Sequence, residues 1–132
     1  MMKRFIPYAL LTMLAPVFNL GAHELSRTNF DCFFTTFLNS KEEQSQYVLF
    51  PLLYISHDES YSFRYQSIQK EAYSSIDIKI ESPSVNNEQI SDKMMMVEVF
   101  TEDTDSCMKY FFSLIEGQWY LSHIFETHKN GL

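Results

Sequence analysis

The chain has 132 residues, 45% of them hydrophobic, and a net charge of −7, so its apolar content suffices for the core of one domain. The acidic charge and the absence of a basic stripe exclude nucleic acid as a partner. Three glycines cannot form a phosphate-cradling loop. None of the four histidines forms a pair with zinc-ligand spacing, so no metal and no cofactor are predicted.

Residues 1–22 have the features of a secretory signal peptide. Two basic residues precede an uncharged apolar stretch from Phe5 to Leu20, and the small residues Gly21 and Ala22 follow it. Cleavage is expected after Ala22, with export to the periplasm or beyond the cell. A membrane anchor is the alternative, but a stretch this short with two prolines inside does not favour a span.

The expected mature domain, residues 23–132, is more acidic than the whole chain. It retains eight basic side chains against 17 acidic ones, a net charge of −9. Its two cysteines, Cys32 and Cys107, would meet oxidising conditions after export. We therefore predict a Cys32–Cys107 disulfide that joins the first helix to the last hairpin, two separate buried thiols being the alternative.

Periodic patterns predict six strands and three helices. The predicted helices are Ser26–Leu38, a short helix from Lys41 to about Val48, and Gln69–Ser74. The predicted strands are Leu52–Ser56, Tyr61–Ser67, Ile76–Glu81, Lys93–Thr101 and the two strands of a hairpin over Met108–Phe125. Ser82–Asp92 is expected to be a loop and Glu126–Leu132 a polar tail. The first helix has one apolar stripe, formed by Phe30, Phe33, Phe34, Phe37 and Leu38.

The hairpin is expected to turn at Glu116 and Gly117. The predicted pairs are Leu114 with Trp119, Phe112 with Leu121, Tyr110 with His123, and Met108 with Phe125. Because side chains alternate along a strand, these eight residues share one face, which we assign to the core. Trp119 is predicted to contact the phenylalanine stripe.

Three short motifs carry a resemblance to a known fold. They are Phe30-x-x-Phe33-x-x-x-Phe37, Phe50-Pro51-Leu52 and Trp119-Tyr120-Leu121. With the order of elements, they make residues 28–126 resemble the nuclear-transport-factor-2-like, cystatin-like cone, and the chain looks like a secreted bacterial domain of unknown function. The resemblance implies a single-domain α+β fold in which a curved antiparallel sheet packs around an N-terminal helix. Members include isomerases, dehydratases, adaptors and scaffolds, so this fold does not select a function.

Acid–base chemistry is the catalytic alternative that the resemblance implies. His123 and Tyr110, which the predicted register makes neighbours, are its candidate residues. The sequence pattern offers no inward-facing carboxylate, since Asp77 and Glu81 fall on the polar side of their strand. We take the absence of an inward-facing carboxylate from the sequence pattern as an argument against an enzyme.

The sequence therefore predicts an exported, non-catalytic binding protein. Its partner is either a protein or a small apolar ligand inside the cone. In the first case the chain would be an inhibitor or immunity protein that binds a basic protein, such as a toxin or a cell-wall hydrolase. Tyr54, Arg64 and Tyr65 are the candidates for lining that cone. A small lyase or isomerase that uses His123 as its base is the alternative.

Overall fold

The structure is a computed structural model. Its described residues are 22–57, 62–82, 84–101 and 106–128, with the backbone alone at 22–28 and 128. The predicted signal peptide lies outside them except for Ala22, where the first helix begins. Within the described part of the chain, no helix has the length and apolar composition that a membrane crossing requires.

One long helix precedes the strands. The helix, α1, spans Ala22–Asn39. The strands are β1 Val48–His57, β2 Phe63–Ile68, β3 Val85–Ser91, β4 Met94–Thr101, β5 Ser106–Ile115 and β6 Gln118–His128. The two short predicted helices are 3-10 helices, Lys41–Tyr47 and Lys70–Ala72.

The strands form one curved, unclosed sheet in the order β2-β1-β6-β5-β4-β3. β1 and β6 run parallel, and the other neighbouring pairs are antiparallel. The α+β single-domain fold is thus confirmed, but the sheet is mixed and not purely antiparallel. Because the last strand pairs with the first, the β5–β6 hairpin lies at the centre of the sheet.

α1 packs on one face of the sheet, which we call the inner face; the opposite one is the outer face. Phe30, Phe34 and Phe37 are at most 2% exposed. The ring of Phe30 lies 5.3 Å from that of Phe112 and 5.2 Å from that of Trp119, both edge-on. The predicted contact between Trp119, itself 2% exposed, and the phenylalanine stripe is confirmed. Edge-on aromatic pairs add to the stability that burial provides.

The predicted strand over Ile76–Glu81 is wrong. Residues 73–79, which we call the strap, have no regular secondary structure. The N–H of Ile76 donates to Oε1 of Gln44 at 2.8 Å, and its carbonyl accepts from Nε2 at 2.9 Å. A buried side chain thus takes the backbone groups that a neighbouring strand would use. Ile78 is buried, with 9% of its surface exposed, whereas Ile80 is 39% exposed, so the alternation of apolar residues marks one buried side chain and no strand pairing.

The predicted loop over Ser82–Asp92 is also corrected, because it contains β3. This strand lies at the edge of the sheet and pairs with β4 alone. Most of its residues are polar and exposed. Polar side chains are a common way to protect an edge strand from further pairing, and they make such a strand read as a loop.

Candidate functional site

The hairpin begins as predicted at its turn. Glu116 and Gly117 have φ values of 49° and 80°, the left-handed backbone of a tight two-residue turn. From there to the pair of Phe112 with Leu121, the register is the predicted one. This half of the hairpin forms the wall against which α1 packs.

Beyond Leu121 the predicted register is wrong, because β6 contains a bulge at Ser122. Phe112 pairs with Leu121 and Phe111 pairs with His123, so Ser122 has no partner in the ladder. Its hydroxyl donates to the carbonyl of Phe111 at 3.0 Å. The inner-face pairs beyond the bulge are Tyr110 with Ile124 and Met108 with Glu126. One extra residue reverses which side chains face inward.

A cavity of about 250 Å³ lies on the inner face, between the strap and this second half of the hairpin. Its lining is largely apolar and includes three tyrosines. The lining residues are Leu52, Tyr54, Ile68, Ala72, Tyr73, Ser74, Ile76, Met108, Tyr110 and Ile124. Drug-sized ligands occupy pockets of about 300–1,000 Å³, so this cavity suits a smaller molecule.

A carboxylate lies beside the cavity. The hydroxyl of Tyr54 donates to Oε1 of Glu126 at 2.8 Å and is 3.9 Å from Sδ of Met108. Glu126 reaches the inner face only because of the bulge at Ser122, and the sequence pattern had predicted a polar tail there. The missing carboxylate that argued against an enzyme is therefore present. No sequence signal marks it, because Ile124 and Phe125 are both apolar and Glu126 and Thr127 are both polar, so the alternation stops before it.

Gln44 holds the strap and, with it, Tyr73. This side chain is fully buried, and its Oε1 accepts from the Tyr73 hydroxyl and from the N–H of Ile76. Its Nε2 donates to the carbonyls of Phe37 and Ile76 at 3.1 and 2.9 Å. Every hydrogen-bonding position of the amide is used, as a buried amide requires. Tyr73 was not among the predicted site residues, since its place depends on a residue 29 positions earlier.

The three tyrosines of the cavity are neutral at physiological pH. Burial raises the pKa of Tyr54 above its ordinary value of 10.0, and the hydrogen bond and charge of Glu126 raise it further. Burial also raises the pKa of Tyr73 and that of Tyr110, with a smaller effect of Glu126 on Tyr110. Desolvation disfavours phenolate, so these side chains are hydrogen-bonding phenols with intact aromatic faces.

His123 and Tyr110 do not share a pocket. Tyr110 lines the inner cavity, whereas His123 pairs with Phe111 on the outer face. The two rings stack with centroids 4.3 Å apart and planes 10° from parallel. Burial lowers the pKa of His123, so its imidazole is neutral at physiological pH. The predicted catalytic pair is thus separated by the sheet, and the bulge is the reason.

Of the three predicted cavity residues, the structure brings one to the site. Tyr54 lines the cavity. Tyr65 pairs with Ile55 on the outer face and is 70% exposed. Arg64 pairs with Ser56 towards the inner side of β2 but is exposed and does not line the cavity.

The predicted disulfide is not formed. Both cysteines are free, Cys32 exposed on α1 and Cys107 buried in β5. Cys107 lies an odd number of residues from Phe112, so it faces outward while α1 covers the inner face. The sheet therefore separates the two thiols. Burial, with a smaller contribution from Glu98, raises the pKa of Cys107 to about 11, which keeps it an unreactive thiol.

Other features of the described residues offer less chemistry. No group of three or more His, Cys, Asp or Glu side chains among them is arranged to hold a metal ion. A wider, more open depression of about 420 Å³ lies between α1 and the hairpin turn. Its floor includes Phe33, Phe37 and Trp119, and none of the lining side chains that the structure describes is charged. We assign the site to the smaller cavity, because it is more enclosed and has a carboxylate beside it.

Comparison with known proteins identifies similar folds. The chain matches no family model, and no curated protein matches it. An NTF2-like protein from Bacteroides fragilis has a similar structure, with a TM-score of 0.53 and 14% identity over 73% of this chain, which spans 45% of that protein. NTF2-like proteins of unknown function from Shewanella baltica and Silicibacter pomeroyi match with TM-scores of 0.39 and 0.41. They are 10% and 12% identical over 83% and 79% of this chain, and each is covered to 93%.

Proposed function

We propose that this chain, which has an NTF2-like fold, is a non-catalytic binding protein that holds a small, largely apolar ligand in the inner cavity. The observation that carries this proposal is a cavity of about 250 Å³ with an apolar lining and convergent polar groups. Concave apolar pockets with a few placed polar groups are the usual form of small-molecule sites.

We choose the small ligand over a protein partner for a structural reason. The inner cavity brings Tyr54, Tyr73, Tyr110 and Glu126 together, through residues on three strands and the strap. The outer face offers a few exposed apolar side chains, which many protein surfaces also carry. Convergence of polar groups into an apolar cavity is the more specific feature.

Filling the cavity tests the proposal. Ala72 is exposed at the rim, in a 3-10 helix, so Ala72→Trp is expected to leave the fold intact while blocking the cavity. A library of small apolar compounds is screened by the shifts of methyl NMR signals of Met108 and Ile124. Gln46→Trp, an exposed position of the other 3-10 helix, is the matched control. Compounds that bind the parent and Gln46→Trp but not Ala72→Trp support the proposal; a parent that binds none contradicts it.

Export forms part of the proposal and is supported by the signal-peptide pattern of residues 1–22. The mature protein is then expected in the periplasm or the medium, beginning at His23. Cell fractionation followed by N-terminal sequencing measures both. Recovery of the chain from the cytoplasm with Met1 retained contradicts export.

The hydrogen bond between Tyr54 and Glu126 favours a second candidate function, that of a small lyase or isomerase. A carboxylate beside neutral phenols in an apolar cavity is a familiar arrangement of general base and hydrogen-bond donors. Glu126 then takes the role that the sequence analysis gave to His123. Prolonged incubation with each ligand found above, followed by NMR of the ligand, distinguishes the two functions. Chemical change that Glu126→Gln abolishes indicates catalysis; unchanged ligand indicates binding alone.

A further inference from the structure

We infer that the ligand of the inner cavity is a small alkylammonium ion, whose apolar chain fills the cavity and whose cationic nitrogen lies among the tyrosines next to Glu126. This inference rests on the proposed binding function and adds the chemical class of the ligand. It follows from three independent properties of the cavity, namely its aromatic lining, its charge and its apolar volume.

The aromatic lining favours a cation. Tyr54, Tyr73 and Tyr110 border one cavity, and Phe50 packs edge-on against Tyr73 with centroids 5.6 Å apart. The faces of neutral aromatic rings attract cations, and desolvation strengthens this attraction. Because the phenol pKa values are raised, the rings stay neutral and the hydroxyl groups remain hydrogen-bonding groups.

The negative charge beside the cavity also favours a cationic ligand. Glu126 accepts from Tyr54 and is close enough to Tyr110 to raise its pKa. No Lys or Arg is among the described residues that line the cavity. Arg64 lies on the same side of the sheet, in one row with Ser56 and Glu126, but it is exposed and does not line the cavity. Lys70, two residues before the lining residue Ala72, is also exposed. A cation inside the cavity therefore has a carboxylate beside it and no positive charge among the described lining residues, whereas an anion is disfavoured by the same carboxylate.

The volume and the apolar lining define the rest of the ligand. Ile68, Ile76 and Ile124 supply aliphatic surface, and about 250 Å³ admits a short chain. Burying such a chain contributes roughly 0.8 kcal/mol per methylene group. A bare metal ion gains nothing from this lining, and no cluster of ligands for one is found among the described residues.

Three probes with one chain and different head groups test the inference: pentylammonium, pentan-1-ol and pentanoate. Dissociation constants are measured by NMR from the methyl signals of Met108 and Ile124, at physiological ionic strength so that distant charges are screened. Pentylammonium is expected to bind about tenfold more tightly than pentan-1-ol, the size of a desolvated cation–π contact, and pentanoate more weakly than either.

Glu126→Gln tests whether the preference arises in the site. Glutamine still accepts from Tyr54, so the fold is expected to persist while the ammonium preference falls to about that of the alcohol. Glu88→Gln removes the same charge from an exposed position on β3 and is expected to leave the preference unchanged. Equal effects of both variants overturn the inference, since the preference then reflects the net charge of the chain.

The probes separate the two proposals. Pentan-1-ol or pentanoate binding as tightly as pentylammonium, with shifts at Met108 and Ile124, overturns the ligand class and leaves the binding function standing. If none of the three probes nor any compound of the apolar library shifts these signals, both proposals fail. Tight pentylammonium binding that depends on Glu126 supports both.

Discussion

The two halves of the β5–β6 hairpin belong to the same pair of strands and pack against different surroundings. Near the turn, Phe112 and Trp119 are 1% and 2% exposed and contact the ring of Phe30, so this half is solid core. Past Ser122, Tyr110 and Ile124 face the strap across a cavity. The first half stabilises the fold, and the second half carries the candidate site.

One extra residue accounts for the difference. Without the bulge, β6 would direct His123 and Phe125 inward, and an aromatic side chain would help to fill the space. With the bulge, Ile124 and Glu126 point inward and a carboxylate meets Tyr54. Bulges commonly redirect side chains next to functional sites, and this one replaces an inward-facing aromatic side chain with the carboxylate of Glu126.

Trp119→Ala tests the half of the hairpin near the turn and should have the largest effect on the free energy of unfolding. Removing a buried tryptophan typically lowers the free energy of unfolding by about 3–5 kcal/mol, a large share of the roughly 5–15 kcal/mol of a single domain. Met108→Ala in the second half should lower it less, because Met108 already borders a cavity. Urea denaturation measures both. Equal losses, or freely quenched Trp119 fluorescence in the folded protein, would contradict the division of the hairpin.

Gln44→Ala tests how the strap is held over the cavity beside the second half of the hairpin. It leaves the Tyr73 hydroxyl and backbone groups of Phe37 and Ile76 without their partner, and each such buried group costs about 1–3 kcal/mol. We expect a loss of at least about 2 kcal/mol and faster hydrogen exchange in the strap. Gln118→Ala, which removes one half-buried bond to the Trp119 carbonyl, is the control and should lose under about 1 kcal/mol. Unchanged strap exchange would show that other contacts hold it.

Alkaline pH should lower the stability of the folded protein through the three tyrosines that line the cavity. The folded-state pKa values of Tyr54, Tyr73 and Tyr110 lie above the unfolded value of 10.0, so the folded state keeps protons that the unfolded state releases. Their contribution to stability is complete below pH 10 and decreases as the pH rises further. Denaturation midpoints measured from neutral to alkaline pH should fall, and less steeply when the three are replaced by Phe. Tyr65→Phe, on the outer face, controls for the loss of one phenol; an unchanged slope in the triple variant would contradict this origin.

Ser122→Ala should have the smallest effect on the free energy of unfolding. It tests whether the serine hydroxyl or the burial of Ile124 sets the register at the bulge. It removes the bond to the Phe111 carbonyl and the 3.0 Å contact with the Ser113 hydroxyl, a loss of about 0.5–1.5 kcal/mol for each hydrogen bond. Ser113→Ala removes the contact alone and should lose less. Burial of Ile124 should keep the register, so NMR contacts between the rings of Phe111 and His123 should persist. Their disappearance would mean that the serine hydroxyl, and not burial, sets the register.

Some local patterns in the sequence were a reliable guide, although the alternation over Ile76–Glu81 and the polar stretch Ser82–Asp92 were not. The helical spacing of the phenylalanines and the short turn at Glu116 and Gly117 predicted α1, the hairpin turn and the Trp119 contact. Tyr54 was placed correctly at the cavity wall, while Glu126 and Tyr73 were not recognised. Glu126 depends on an unpaired residue in the ladder, and Tyr73 depends on a buried amide far away in the chain.

By itself, the sequence determined the aromatic core between α1 and the turn half of the hairpin, because the periods of helix and strand are properties of neighbouring residues and burial follows them there. Tertiary structure decided which backbone groups pair, and therefore what faces the cavity. Ile76 alternates like a strand yet bonds to Gln44, β1 pairs in parallel with β6, and Ser122 drops out of its ladder. Each of these is a choice among distant partners with similar hydrogen bonds. The packing of the whole chain makes that choice, and no local period records it.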